Sequence, residues 1–287
     1  MNEILEIIFK ISVYTFVVVG MISMGLKVTF KQIFYPLKDI KLISLALIAN
    51  FVMSPLLVYL IIHFIPVSEA EKTGFLLLSV AAGAPFLPKL AEIADSDIAY
   101  SIGIMLLLMI LTVFLMPVAL PYMLPGTEVN SLGIARSLVT LMIIPLFLAL
   151  FFRQRFEKAA AILHRPAKLI TDISLLLLMI ALVGLNYRNL LKMFDTTMVA
   201  IILLLVGTTI IGYFMGGSDK DKKIVMSLCT GQRNISAALL VAAENFKDKE
   251  IILTLVAISI IGLLFRVPYA RWIGRKVKKT QVSGNSF

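Results

Sequence analysis

"TGQRNISAALL", residues 230–240, interrupts an apolar run between "IVMSL" and "LVAAENF". A glycine, an arginine and several polar side chains stand where aliphatic residues would continue a membrane helix. A second interruption, in "TGFLLLSVAAGAPFLPKLAEIADSD" (residues 73–97), holds Gly83, Pro85 and Pro88. Each proline removes a backbone donor and clashes with the preceding turn, so the pair is expected to break that helix. At membrane depth, freed amides and carbonyls survive only inside protein or along a cavity.

The surrounding composition supports a membrane setting. The chain of 287 residues is 60% hydrophobic and 15% charged, with mean hydropathy +0.97. A soluble domain carries about 25% charged residues. The apolar residues fall in blocks of about 20, the length that crosses a hydrocarbon layer. The reading is an all-α polytopic membrane protein in a lipid bilayer. Nine segments are expected, at about 4–26, 39–64, 71–94, 97–124, 131–152, 165–186, 196–217, 221–245 and 248–273. The start, "MNEILEIIFK", is acidic and runs on without a cleavage signal, so it reads as a retained first helix.

The net charge of +10 does not indicate nucleic acid, because the basic residues gather in short loops. One side carries Lys27, Lys31, Lys38 and Lys41; Arg153, Arg155, Lys158, Arg165 and Lys168; Lys220, Lys222 and Lys223. It also carries Arg266, Arg271, Arg275, Lys276, Lys278 and Lys279 at the C-terminal end. The opposite loops carry Lys72, Arg188, Lys192, Lys247 and Lys249. The richer side is expected in the cytoplasm, with the C-terminus inside and the N-terminus outside. The single cysteine, Cys229, allows no intrachain disulfide and no cysteine metal cluster. His63 and His164 are far apart. With no P-loop, Ser-His-Asp arrangement or HExxH, the sequence does not read as an enzyme and calls for no cofactor. It leaves the oligomeric state open.

The two breaks lie in the third and eighth segments, each third in a run of four. An odd number of segments separates the starts of the runs, so the runs have opposite orientations. That is the layout of an inverted repeat with one discontinuous helix per half, whose sites lie where the broken helices meet. The breaks bring Lys89 and Arg233 into the apolar region, where a basic residue costs at least about 2.5 kcal/mol. Both cations have two readings. They bind an anion or stand in for bound cations, or they satisfy carbonyls freed by the breaks, with Lys89 pairing to Glu92 one turn on. Asn50, ahead of Pro55, is a further polar candidate. Gly231 is expected to mark the second break together with Thr230, Gln232 and Asn234.

Four stretches resemble the bile acid:sodium symporter family: "MISMGLKVTFKQIF" (21–34), "LIANFVMSPLLVYL" (47–60), "AAGAPFLPKLAEIADSDIAYSIGI" (81–104) and "TGQRNISAALL". The resemblance implies ten helices, of which this chain would lack the first, split into a panel and a core with two crossed, broken helices. The core would be about 39–124 and 196–273, and the panel about 4–26 and 131–186. It also implies a bacterial plasma membrane. By this mapping Leu87 and Pro88 stand where relatives hold a sodium-binding Ser-Asn pair. Ser101 keeps a serine of the next helix, and Met105 replaces a threonine. Cys229 replaces a sodium-bridging glutamate, Arg233 replaces a glutamine ligand, Asn234 is kept, and Asn50 stands for another glutamine.

Sodium, possible by resemblance, is thereby disfavoured, since a hard cation takes oxygen ligands and gains from negative charge. The function expected is secondary transport of an organic anion by alternating access. The alternatives are a non-transporting sensor or scaffold with the same fold, and metalloid efflux.

Overall fold

The computed structural model describes residues 2–35, 39–124, 130–192 and 196–284, with side chains over 7–32, 35, 39–124, 130–181 and 196–275. The described residues form helices and no strand. In chain order these are α1 (Asn2–Lys27), α2 (Phe30–Phe34), α3 (Ile40–Ile48), α4 (Ser54–Phe64), α5 (Glu69–Val80), α6 (Leu87–Ile93) and α7 (Ile98–Met123). There follow α8 (Ser131–Leu138), α9 (Ile144–Arg155), α10 (Glu157–Lys192), α11 (Thr196–Met215), α12 (Lys220–Gly231), α13 (Ile235–Asn245) and α14 (Lys249–Gly284).

Seven stretches of the described residues are long and apolar enough to cross a membrane, and the chain is an integral membrane protein. The seven are Ile7–Lys27, Ile40–Phe64, Ile98–Met123, Ser131–Arg155, Thr196–Met215, Lys220–Asn245 and Lys249–Arg275. Two expected segments are not among them, each for a physical reason. The third is cut into α5 and α6, with charged residues at both ends. The sixth lies within α10, whose first half exposes the Lys168–Asp172 pair (2.6 Å) and whose later side chains, from 182 on, are outside the described residues.

Lys38, Arg188, Lys192, Lys276, Lys278 and Lys279 of the orientation argument also lie outside the described side chains. Arg266, counted there with the basic C-terminal end, is instead buried inside the Lys249–Arg275 span.

Polar residues set the helix starts. Ser68 caps α5 through its hydroxyl on the Glu71 amide, while Glu71 returns a carboxylate to the Ser68 amide at 2.8 Å. The second carboxylate oxygen of Glu71 accepts from Thr197 at 2.7 Å, tying α5 to α11. The acidic turn "ADSD" serves the same purpose, since Asp97 caps α7 at the Tyr100 amide. Asp39 caps α3 and meets Lys222 at 3.0 Å. The Leu42 amide, then Lys222, hold its carboxyl below the usual carboxylate range.

Packing leaves the discontinuous helix innermost. The apolar window of Lys220–Asn245 is 94% buried, against 33–56% for the other six spans. α1 lies mainly on α9 and α10, α11 on α12, and α14 on α5, while α13 is met by α8, α14, α1 and α5. Lipid-facing surface therefore falls on the other helices, and the polar break in residues 232–234 is enclosed by protein.

Candidate functional site

The site is made by three weak points in the backbone. The first is a π-helical turn over Ala49–Met53, between α3 and α4. There the Ser54 amide bonds Ala49 O, five residues back. Continuing that register would pair Asn50 O with residue 55, but Pro55 has no amide hydrogen. The Asn50 carbonyl is thus left open in a buried position. The second point is the end of α5 at Val80, where the last carbonyls run out of amides from a following turn, although Leu78 O still accepts from the Ala81 amide at 3.2 Å. The third is the gap between α12 and α13, where Gln232, Arg233 and Asn234 are non-helical.

Arg233 joins all three. Its Nε donates to Leu78 O at 3.0 Å, Nη1 to Asn50 Oδ1 at 2.8 Å and Thr230 O at 3.4 Å, and Nη2 to Asn50 O at 3.3 Å and to Ser79 O. The side chain is buried, and no carboxylate pairs with it among the described residues. A planar five-donor fork suits this task, because oxygens approach it from several directions at once. Around it, Asn50 Nδ2 donates to Ala46 O (2.9 Å) and Thr230 Oγ1 (3.3 Å). The Asn234 amide donates to Ala81 O at 2.8 Å, so the two broken helices touch at their breaks. Asn234 Oδ1 also caps α13 at the Ala237 amide.

A second buried arginine lies beside the second break. Arg266 of α14 donates through Nη2 to Gly231 O, the carbonyl at the end of α12. A Cβ on Gly231 would come within 3.0 Å of both Arg266 Nε and Thr209 Oγ1, so the glycine is what admits the guanidinium. Arg266 Nε, Gln232 Oε1, Asn234 Nδ2 and Ser54 Oγ are buried without a hydrogen-bond partner among the described residues. Arg266 was missed as a site residue because it was read with the basic C-terminal end. The signal was present: it stands in "GLLFRVPYA", with Gly262 one turn earlier on the same face.

The expected site residues divide cleanly. Asn50, Thr230, Arg233 and Asn234 share the network, Gln232 adjoins it, and Cys229 is buried one residue before Thr230. Ser101 is buried, and among the described residues its hydroxyl bonds within its own helix, to Ile98 O at 2.7 Å. Lys89 stands apart. It pairs with Glu92 at 3.0 Å, and both side chains are 56% exposed. Of the expected break residues, Gly83 and Pro85 lie in the gap between α5 and α6, and Gly231 closes α12. Pro88 falls in the first turn of α6, where a missing amide hydrogen matters least, so it begins a helix.

The arrangement places a fixed positive charge in a ring of oxygens from α4's π-helical entry, α5 and α12. The model of one protein family, described as the sodium bile acid symporter family, matches residues 14–193, more than half of the chain. The match takes in the first break and Asn50, and ends before the second break and its two arginines. Among curated proteins, none matches the chain. Three of the four stretches that carry the resemblance, 21–34, 47–60 and 81–104, lie inside the match and the fourth, 230–240, lies beyond it: the chain belongs to the sodium bile acid symporter family.

Proposed function

We propose that this protein is a secondary carrier for an organic anion, working by alternating access without sodium at the crossing of its broken helices. The observation that carries the reading is the Arg233 guanidinium, bonded to five oxygens at the crossing. The residues do not fit a sodium ion there. The oxygens are already engaged, the cage contains no carboxylate, and a guanidinium within a few ångströms repels a cation at low dielectric. Among the described residues no group of three or more His, Cys, Asp or Glu side chains gathers to hold a metal.

An anionic cargo is supported by charge and by kinship. Arg233 and Arg266 put two guanidiniums inside the spans with no carboxylate paired to either among the described residues, and the matched family is named for a bile acid. On this reading nine segments cross the membrane, the N-terminus outside and the C-terminus in the cytoplasm. The inverted halves give a core of about 39–124 and 196–273, which moves against a panel of about 4–26 and 131–186. The membrane would be a bacterial plasma membrane. A sensor that kept the fold is the second reading, favoured by a crossing held shut by permanent bonds.

Uptake of labelled taurocholate, and separately of a labelled small keto acid, into proteoliposomes decides between them. Equal flux in sodium and choline supports the proposal. Flux that needs sodium would contradict it, and no flux of either compound would favour the sensor.

A further inference from the structure

The two buried arginines are in different conditions. A guanidinium has five N–H donors, one on Nε and two on each Nη. Arg233 makes five bonds, one from Nε, two from Nη1 and two from Nη2, so its donors are all engaged by the fold. Arg266 is 4% exposed, yet its bond among the described residues is the one from Nη2 to Gly231 O. Its Nε is a buried donor with no acceptor among them, and no described carboxylate pairs with it. The end of α12 offers a cation about half a negative charge, which does not balance a full one. A buried charge without a counter-charge is strongly disfavoured in a protein interior.

The geometry gives one edge of Arg266 a direction. A Cβ on Gly231 would stand 3.0 Å from Nε and 3.6 Å from Nη2, so the Nε–Nη2 edge faces the end of α12. A Cβ on Gly262 would stand 2.5 Å from Nη1. The two glycines thus let the guanidinium lie between α12 and α14, with its unpartnered edge turned toward the break. Further along the same break, Gln232 is 8% exposed and Asn234 0%, and Gln232 Oε1 and Asn234 Nδ2 also have no partner among the described residues. The Gln232 carboxamide presents an acceptor or a donor according to which way it is turned.

We propose that Arg266, and not Arg233, is the anion-binding residue of this protein, and that it holds a carboxylate against its Nε–Nη2 edge at the second break. Two parallel N–H bonds from such an edge match the two oxygens of a carboxylate. Nη2 has two hydrogens, one for Gly231 O and one for the ligand. In the carrier reading, on which its role as cargo rests, the carboxylate belongs to the transported molecule. A halide ion shares the chemistry of a compact monovalent anion, but it meets the edge at one point instead of two.

Thermal unfolding of the purified full-length protein tests this. Choline acetate, or separately choline chloride, is titrated into a low-salt buffer. Acetate should raise Tm along a saturating curve, by about 2 °C at roughly five times its dissociation constant. Chloride should saturate only at higher concentration. The acetate-dependent rise should vanish in Arg266→Gln and persist in Arg136→Gln, which removes an exposed arginine of α8. Arg266→Lys keeps the charge but lacks the fork, so it should need about tenfold more acetate; it reports on the same edge if the glutamine variant does not fold. No saturating rise with acetate would overturn the proposal, and so would a rise that survives in Arg266→Gln or is unweakened in Arg266→Lys. Tighter saturation by chloride than by acetate would overturn the carboxylate in favour of a halide. None of these readouts uses flux. Flux without an acetate-dependent rise would sink this inference and leave the carrier reading standing, and a rise without flux would do the reverse.

Discussion

Replacing Arg233 with methionine is expected to lower the unfolding free energy by about 3–5 kcal/mol. Methionine roughly keeps the length of the side chain but removes every donor. Leu78 O, Ser79 O, Thr230 O, Asn50 O and Asn50 Oδ1 then lose their bonds to the guanidinium. An orphaned buried acceptor costs about 1–3 kcal/mol. The sum is partly offset because a buried guanidinium no longer has to be kept out of water, a penalty of several kcal/mol. The acceptors are mostly backbone, so no substitution elsewhere removes them. Arg233→Lys should recover part of the loss, since an ammonium reaches fewer of these oxygens and lacks the planar fork. Thermal and denaturant unfolding in detergent micelles measures both variants. A methionine variant as stable as the parent protein would mean that the arginine is not what joins the three breaks.

Gly83→Ala should be comparably severe, about 3–5 kcal/mol, for a different reason. Gly83 has φ 76°, where an L side chain is strained by about 1–2 kcal/mol. Its Cβ would also lie 2.2 Å from Met109 N, 2.5 Å from Met105 O and 2.6 Å from Met109 Cα. All three atoms belong to the backbone of α7, so no rotamer change relieves the overlap. Gly217 provides the control. Its φ is 73°, but the nearest atom to its Cβ is 3.8 Å away. Gly217→Ala should therefore show only the conformational part, about 1 kcal/mol. If the two variants melted alike, close approach of the first break to α7 would not be what requires the glycine.

Both discontinuities could be read from residue type, because Gly83, Pro85, Gly231 and the polar run at 230–234 each break a helix by a local rule. The role of Arg233 was legible only as one of two alternatives. Its partners are carbonyls, which every residue possesses, so side-chain identities along the chain do not announce them. The open carbonyl of Asn50 depends on a π-helical register that no residue type specifies, although Pro55 hints at it. Of its two readings, Lys89 takes the one in which it pairs with Glu92 one turn on. Leu87, Leu90 and Ala91, spaced i, i+3 and i+4, form the buried face of α6 and turn Lys89 and Glu92 outward. The hydrogen bond from the Tyr14 hydroxyl to Glu244 joins residues from opposite ends of the chain, and its register follows from packing alone.

The central claim is that the Arg233 guanidinium fills the place a sodium ion would need. The most direct measurement is thermal unfolding of the purified protein in sodium chloride and in choline chloride at matched ionic strength. A ligand present at 100 times its dissociation constant stabilises by about 2.7 kcal/mol, so bound sodium would be visible as a shift in Tm. The account predicts the same Tm in both salts. A higher Tm in sodium than in choline would contradict it.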